Sequence, residues 1–288
     1  MNVSGTLLIG AAALVVCAAE PAAFDAAVYG EPQKLGDGVA RVYAELDAEG
    51  APVRLGVTFD PGLLTGLPDM PNTYSRCFDK NGNGKIEPHG ECNGDYELAF
   101  AVPQALAESG TTPFSWVSVN WNPMGHPEPA PPPWAVPHFD FHFYIMPREA
   151  VRQIRPGPCS ELIDCDDFAR AQIPIPAGHV HPDHIDVGAA VPDMGNHLID
   201  SKSPELAPGG PPFTHTFIFG AYDGHVTFYE PMITLAYLAS RPDECVAIKQ
   251  PQAWATEGYY PTTYCIRYRP DDQTYNVSLE DFVHRSAE

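Results

Sequence analysis

Apolar and polar residues alternate along much of this chain with the two-residue period of strands, not the 3.6-residue period of helices. The clearest run is His138-Phe139-Asp140-Phe141-His142-Phe143-Tyr144. On a strand, His138, Asp140, His142 and Tyr144 share one face and the three phenylalanines the other, which must bury. Similar runs predict strands over residues 54–59, 96–102, 114–121, 138–146, 262–269 and 274–279. Residues 213–231 predict a hairpin, because Asp223-Gly224 sits between two alternating runs. Helical turns are expected only over 165–171 and 234–240, and residues 122–137, with seven prolines, predict an extended loop.

Composition supports the same class. With 24 Gly and 32 Pro among 288 residues, turns are frequent and a helical bundle is excluded. Strands joined by turns without alternating helices predict a mainly β, antiparallel barrel or sandwich, of cupin or calycin type, with long Pro/Gly-rich loops. The formal charge of −21 repels phosphate backbones and excludes nucleic-acid partners, while favouring cations.

Residues 6–19 form an apolar run too short to span a bilayer and ending in small residues, the pattern of a signal peptide over 1–19. A lipidated Cys17 is the minor alternative. The expectation is therefore a secreted or periplasmic protein, one β-rich domain over 20–288, with no membrane association after cleavage. Six further cysteines fit an exported chain. Of the 15 connectivities open to six cysteines, the sequential one is expected: Cys77–Cys92, Cys159–Cys165 and Cys245–Cys265, each closing a short loop.

The first of these pairs brackets a calcium-type loop over 77–92. Asp79, Asn81 and Asn83 stand at positions 1, 3 and 5 of an EF-hand-like loop, with Gly84 at position 6 and Ile86 at position 8. Lys85 offers its carbonyl; position 12 is Gly90, the acid comes one residue later at Glu91, and Glu87 or Asp95 is the substitute. A structural Ca²⁺ is the expected occupant, and an Asn-Gly-rich turn the plain alternative.

Histidine chemistry offers a second cation. His138 and His142 on one strand face, with Asp140 between them, are a chelating geometry, against the plainer reading of a half-exposed polar face. With Tyr222 paired to His225, an unbroken hairpin register sets Phe217 against Glu230 and turns His215 to the same side, so that Glu230 faces inward and needs a cation. His197, set in a loop by Pro192 and Gly195, is a further ligand. Three imidazoles and one Glu are a cupin-type set, leaving open positions on the ion. His138, His142, His197 and Glu230, with His215 beside them, are thus expected to converge on one divalent transition metal, with Tyr144, Asp140 and His126 as acid–base candidates. His179, His181 and His184 with Asp183 and Asp186 form a rival cluster.

Several segments together resemble a known family: Gly125-His126-Pro127, Pro137 to Tyr144, Val191-Pro-Asp-Met-Gly-Asn-His197, Thr216 to Gly224, Glu230-Pro-Met-Ile-Thr234, Gly258 to Tyr264 and Val277 to Phe282. Over roughly 95–284 they resemble an uncharacterised exported bacterial family, the TTHB-like domain of unknown function. The resemblance implies a β-rich, barrel-like domain and supplies no reaction. The calcium-type loop and the cysteine pairs look like additions to that pattern. Nucleophile-elbow, Walker A and dinucleotide motifs are missing from the sequence. Two functions follow: an exported metal-dependent enzyme acting on a small molecule, or a non-catalytic metal- or small-ligand-binding protein of an envelope stress response. Either accommodates a homo-oligomer.

Overall fold

The computed structural model describes residues 27–87, 90–126 and 130–288, so the segment read as a signal peptide lies outside the described residues. The strands are β1 (Val28–Tyr29), β2 (Gln33–Leu35), β3 (Gly38–Leu46), β4 (Pro52–Phe59), β5 (Tyr96–Ala101), β6 (Trp116–Asn122), β7 (His138–Tyr144), β8 (Pro156–Cys159), β9 (His184–Val191), β10 (Gly195–Asp200), β11 (His215–Tyr222), β12 (His225–Thr234), β13 (Asp243–Ala247), β14 (Gly258–Arg269) and β15 (Thr274–Arg285). Short helices α1 (Gln104–Ser109), α2 (Arg148–Val151), α3 (Cys165–Ala171) and α4 (Leu235–Ala239) join them.

All of these strands but β8 form two antiparallel seven-stranded sheets. One has the order β1-β3-β4-β15-β14-β13, with β2 added on β3; the other runs β5-β6-β7-β12-β11-β10-β9. Their inner faces carry the core. Val42, Leu55, Val57, Phe59, Tyr275 and Leu279 meet Val117, Val119, Phe139, Phe141, Phe143, Phe217 and Tyr229. Phe59 stacks on Tyr275 within its own sheet at 5.3 Å and on Phe141 of the facing sheet at 6.2 Å. Burying a Phe side chain contributes about 1.5–3 kcal/mol, so this aromatic layer fastens the sheets face to face.

The fold is a sandwich, and the barrel alternative is corrected: β5 and β9 are opposite edges of one sheet, and neither sheet closes on itself. Bulky rings fill the space between the layers, where a barrel would place its lumen. The polar side chains of β7 therefore lie on the outer face of the second sheet. There Trp134, Val151, Leu206 and Phe213, from connecting segments, pack on Trp116, Tyr144, Ile218, Phe228 and Met232. Every residue of β6 and β7 is buried as a result.

All three expected disulfides are present. The helix expected over 165–171 forms as α3, with Asp164 accepting hydrogen bonds from the Asp166 and Asp167 amides as its N-cap. Strands β3, β9 and β10 were not expected. β3 turns the small side chains Ala40 and Ala44 inward, and the β9–β10 hairpin, rich in Gly, Pro and His, reads locally as a loop. Among the described residues no helix is long and apolar enough to cross a membrane.

Candidate metal centre

Three neighbouring strands set the polar face. On β6, Ser118, Asn120 and Asn122 pair with His142, Asp140 and His138 of β7. On β12, Tyr229 pairs with Phe143 and Met232 with Asp140, which puts Glu230 across from His142. His197 lies further along the sheet, on β10 beside Gly220 of β11. His126 enters from the loop after β6. His138 and His142 are fully buried and Glu230 is 1% exposed, so the half-exposed strand face is ruled out.

Hydrogen bonds then fix the imidazole tautomers. Asn120 donates its amide to Asp95, which turns its Oδ1 toward His142; Nδ1 of His142 donates to that oxygen at 3.1 Å. Asp95 is itself gripped by the buried Arg76 at 2.8 and 2.7 Å. Nδ1 of His197 donates to the Ala189 carbonyl at 3.0 Å, and Nδ1 of His138 to the Val136 carbonyl at 2.7 Å. With Nδ1 the hydrogen-bond donor on all three, Nε2 is the ring nitrogen left facing the interior, the arrangement seen in metal-binding histidines.

Those nitrogens face carboxylates. His142 Nε2 and His197 Nε2 stand 3.6 and 3.8 Å from Glu230 Oε2. Nε2 of His138 and of His142, with Asp140 Oδ1 and Glu230 Oε2, are buried without hydrogen-bond partners. An unmade bond at a buried polar atom costs about 1–3 kcal/mol, and more for a charged group. Metal–ligand bonds of about 2.0–2.2 Å meeting at tetrahedral to trigonal angles place two donor atoms about 3.4–3.7 Å apart. The observed spacing is thus too long for a hydrogen bond and suited to a shared ion. Burial lowers His142 well below the ordinary imidazole range and His197 to about 4, leaving both neutral; burial, reinforced by the Asp140 charge, pushes Glu230 well above the usual carboxyl range.

The expected four-ligand centre divides in two. The donor atoms of His142, His197 and Glu230 lie within 4.8 Å of one another, and those of His126, His138 and Asp140 form a separate group by the same measure. His138 is therefore not a fourth ligand of the first group: Asp140 separates it from His142 along β7. A third grouping, Cys245, Cys265 and Glu280, has its sulfurs committed to a disulfide.

His215 belongs to neither group. Thr227 and Phe228 together oppose Gly220, a β-bulge that shifts the hairpin register by one residue. Ile218, not Phe217, then pairs with Glu230. A one-residue slip exchanges faces: Glu230 turns to the outer face with Phe228 and Met232, while His215 bonds Tyr264 Oη at 2.9 Å and meets Glu244 at 2.7 Å. Gly220 is required here, because a Cβ would stand 2.2 Å from the Phe228 ring. The rival cluster forms no metal-ligand group among the described residues, although His181 stays 3.8 Å from Asp183. His184 is buried against Phe219, and Asp183 pairs with Lys249 at 2.7 Å.

Of the acid–base candidates, Tyr144 stacks on Trp116 at 3.9 Å, and burial holds its hydroxyl well above the ordinary range. Burial works against the Asp140 anion, but His138 and His126 outweigh it and hold Asp140 well below the carboxylate range; burial likewise opposes protonation of His126, and Asp140 more than offsets it. Asp140, His126 and His197 share the lining of a cavity of about 40 Å³ with Asp95, Glu161 and an apolar wall of Trp134, Met194, Ile199 and Ile218. Glu161 was not foreseen. It sits between Ser160 and Leu162, both at positive φ, inside the Cys159–Cys165 loop, and burial raises its carboxyl to about 7. Nothing local in the sequence marks it. Asn120 and Asn122 were legible as the polar half of the β6 alternation.

In the 77–92 loop, Asp79 accepts from the amides of Gly82, Asn83 and Gly84 at 2.8, 3.1 and 2.7 Å. Asn81 and Asn83 accept from backbone amides two residues on, and Lys85 and Glu87 are exposed. Buried Glu91 accepts from Lys80, Asn81 and Glu87, binding the loop ends beside the disulfide.

Fold and site together define an antiparallel β-sandwich with a buried histidine–carboxylate face. No family model, curated protein or solved structure matches this chain.

Proposed function

We propose that this is an exported metal-binding protein whose His142, His197 and Glu230 hold one divalent transition ion. The observation that carries it is the pair of buried, unpartnered atoms His142 Nε2 and Glu230 Oε2, with the His142 tautomer fixed from behind by Asn120. Two imidazoles and a carboxylate suit Zn, Fe, Mn, Ni or Cu and leave coordination positions for a water or substrate. Such an ion supplies Lewis acidity or activates a bound oxygen species. The cavity with His197 in its wall adjoins that position, which favours an enzyme acting on a very small molecule. The non-catalytic reading draws on the depth of the site, since His142 is fully buried.

Export is supported by the three disulfides and by the apolar N-terminal run. Membership of the TTHB-like family is supported by the segments that carry the resemblance, since several of them build this face. A Ca²⁺ at the 77–92 loop is supported by the oxygens at positions 1, 3 and 5, since Asp79, Asn81 and Asn83 wrap the loop by accepting its backbone amides. Elemental analysis of the purified, untagged protein tests the central reading: a transition metal in stoichiometric amount is expected. A chain that carries none, and takes up none after exposure to Zn²⁺, Fe²⁺, Mn²⁺, Ni²⁺ and Cu²⁺, overturns it.

A further inference from the structure

We infer that His126, His138 and Asp140 form a second divalent-cation position, outside the His142–His197–Glu230 one and opening on the cavity. It extends the reading above, resting on the same physical sign but on different residues.

Nε2 of His138 and Oδ1 of Asp140 are fully buried and lack hydrogen-bond partners although they stand 3.2 Å apart. The Val136 carbonyl occupies His138 Nδ1, so Nε2 is the free donor. His126 Nε2 approaches Asp140 Oδ2 at 3.4 Å, and Asn122 donates to that same oxygen at 2.6 Å, fixing the carboxylate plane. Both N···O spacings fall where two bonds of about 2.1 Å meet at roughly 100–110°. The alternative, an imidazolium–carboxylate pair without an ion, buries a charge pair yet leaves its shortest contact unmade.

Asp140 and His142 are two residues apart, about 7 Å of strand, whereas two-metal clusters that share ligands hold their ions about 3.5–4 Å apart. The two positions are therefore neighbours and not one bridged cluster. They also differ in access. His138 and Asp140 lie on the sheet, but His126 comes from a loop, is 28% exposed and lines the cavity with Asp140 and Glu161; of the other group only His197, 12% exposed, reaches it. A water needs about 10–15 Å³ of such space, so about 40 Å³ admits an ion with a few waters or a ligand of comparable size. The outer position is the exchangeable one, and its ligand class is a hydrated transition ion with water-sized co-ligands.

The test uses the full chain, stripped with chelator, held in excess Ca²⁺ to mask the 77–92 loop and titrated with Co²⁺. Two equivalents are expected in the wild type. His126→Gln and His138→Gln should each weaken one of them at least tenfold and leave the other, which His197→Gln weakens instead. A single equivalent lost in His197→Gln and kept in His138→Gln overturns the second position and leaves the inner one standing. A single equivalent with the reverse dependence overturns the inner site alone, and no binding overturns both. Two equivalents unaffected by His126→Gln and His138→Gln place the extra ion elsewhere and overturn this inference. Should buried His138→Gln fail to fold, the loop variant His126→Gln and the wild-type stoichiometry decide it.

Discussion

Glu230 stands across the β7–β12 ladder from His142, its Oε2 3.6 Å from His142 Nε2, with no hydrogen bond made by either atom. Without a cation this is a defect in the core. Glu230→Gln should therefore stabilise the chelated protein at neutral pH, by about 1–3 kcal/mol, and destabilise it relative to wild type once metal is present. The raised carboxyl keeps a proton that the unfolded chain has released. Its contribution is complete below the ordinary carboxyl range and is lost as pH rises toward the folded value. Glu230→Gln should flatten that limb. Chelated melting curves from pH 5 to 8 check it, with His215→Ala and the exposed His225→Ala as controls that leave metal affinity unchanged.

His184 gives a pH effect remote from both candidate cation positions. Burial lowers it to about 4, from an unfolded value near 6.5. Stability from this residue is present above about 6.5 and is lost as pH falls toward about 4, by at most about 3 kcal/mol. His184→Gln should reduce the slope of stability against pH in that window by close to one proton, measured by denaturant unfolding.

The 77–92 loop separates a structural role from a calcium role. Asp79→Ala removes the carboxylate that accepts from three backbone amides, so a loss of about 1–2 kcal/mol is expected in chelator. The wild type should gain melting temperature on adding Ca²⁺ and Asp79→Ala should not. An identical Ca²⁺ response in both proteins removes calcium from this loop.

Cys159 and Cys165, a sequence separation of 6, close a short loop around Glu161. The chain-entropy relation gives about 2 kcal/mol for so short a loop. The double serine variant should lose roughly that much stability and release Glu161 from the cavity wall. Amide exchange over 158–165 should accelerate while β7 stays protected. Non-reducing peptide mapping of the wild type should recover only the three sequential pairs.

Gly220→Ala places a methyl group where the Phe228 ring lies. That ring is 4.8 Å from the His142 ring and 5.1 Å from His197, centroid to centroid. Overpacking of this kind costs about 1–3 kcal/mol, and the displaced ring should weaken transition-metal binding at least tenfold. Calorimetric metal titration, with a melting curve on the same sample, separates the two effects.

Local pattern determined a good part of this molecule. Alternation alone placed the β7 phenylalanines inward and His138, Asp140 and His142 together, because side chains on a strand change face at every residue. The Asp223-Gly224 turn and the three nearby cysteine pairs were legible for the same reason: each depends on residues close in the chain. Tertiary structure decided the rest. Aromatic rings filling the interlayer space made a sandwich, and loops packed over the outer face of the second sheet buried the histidine face. A single bulge opposite Gly220 turned Glu230 to the face opposite His215, and the close Phe228 ring leaves no room for a side chain at that position. His138 was separated from His142 by the partners each found across strands and loops: Asn122, Val136 and His126 on one side, Asn120, Glu230 and His197 on the other. Glu161 reached the cavity only through the fold of its disulfide loop. Contacts between residues distant in sequence depend on register and layer packing, and those are fixed by the whole core at once.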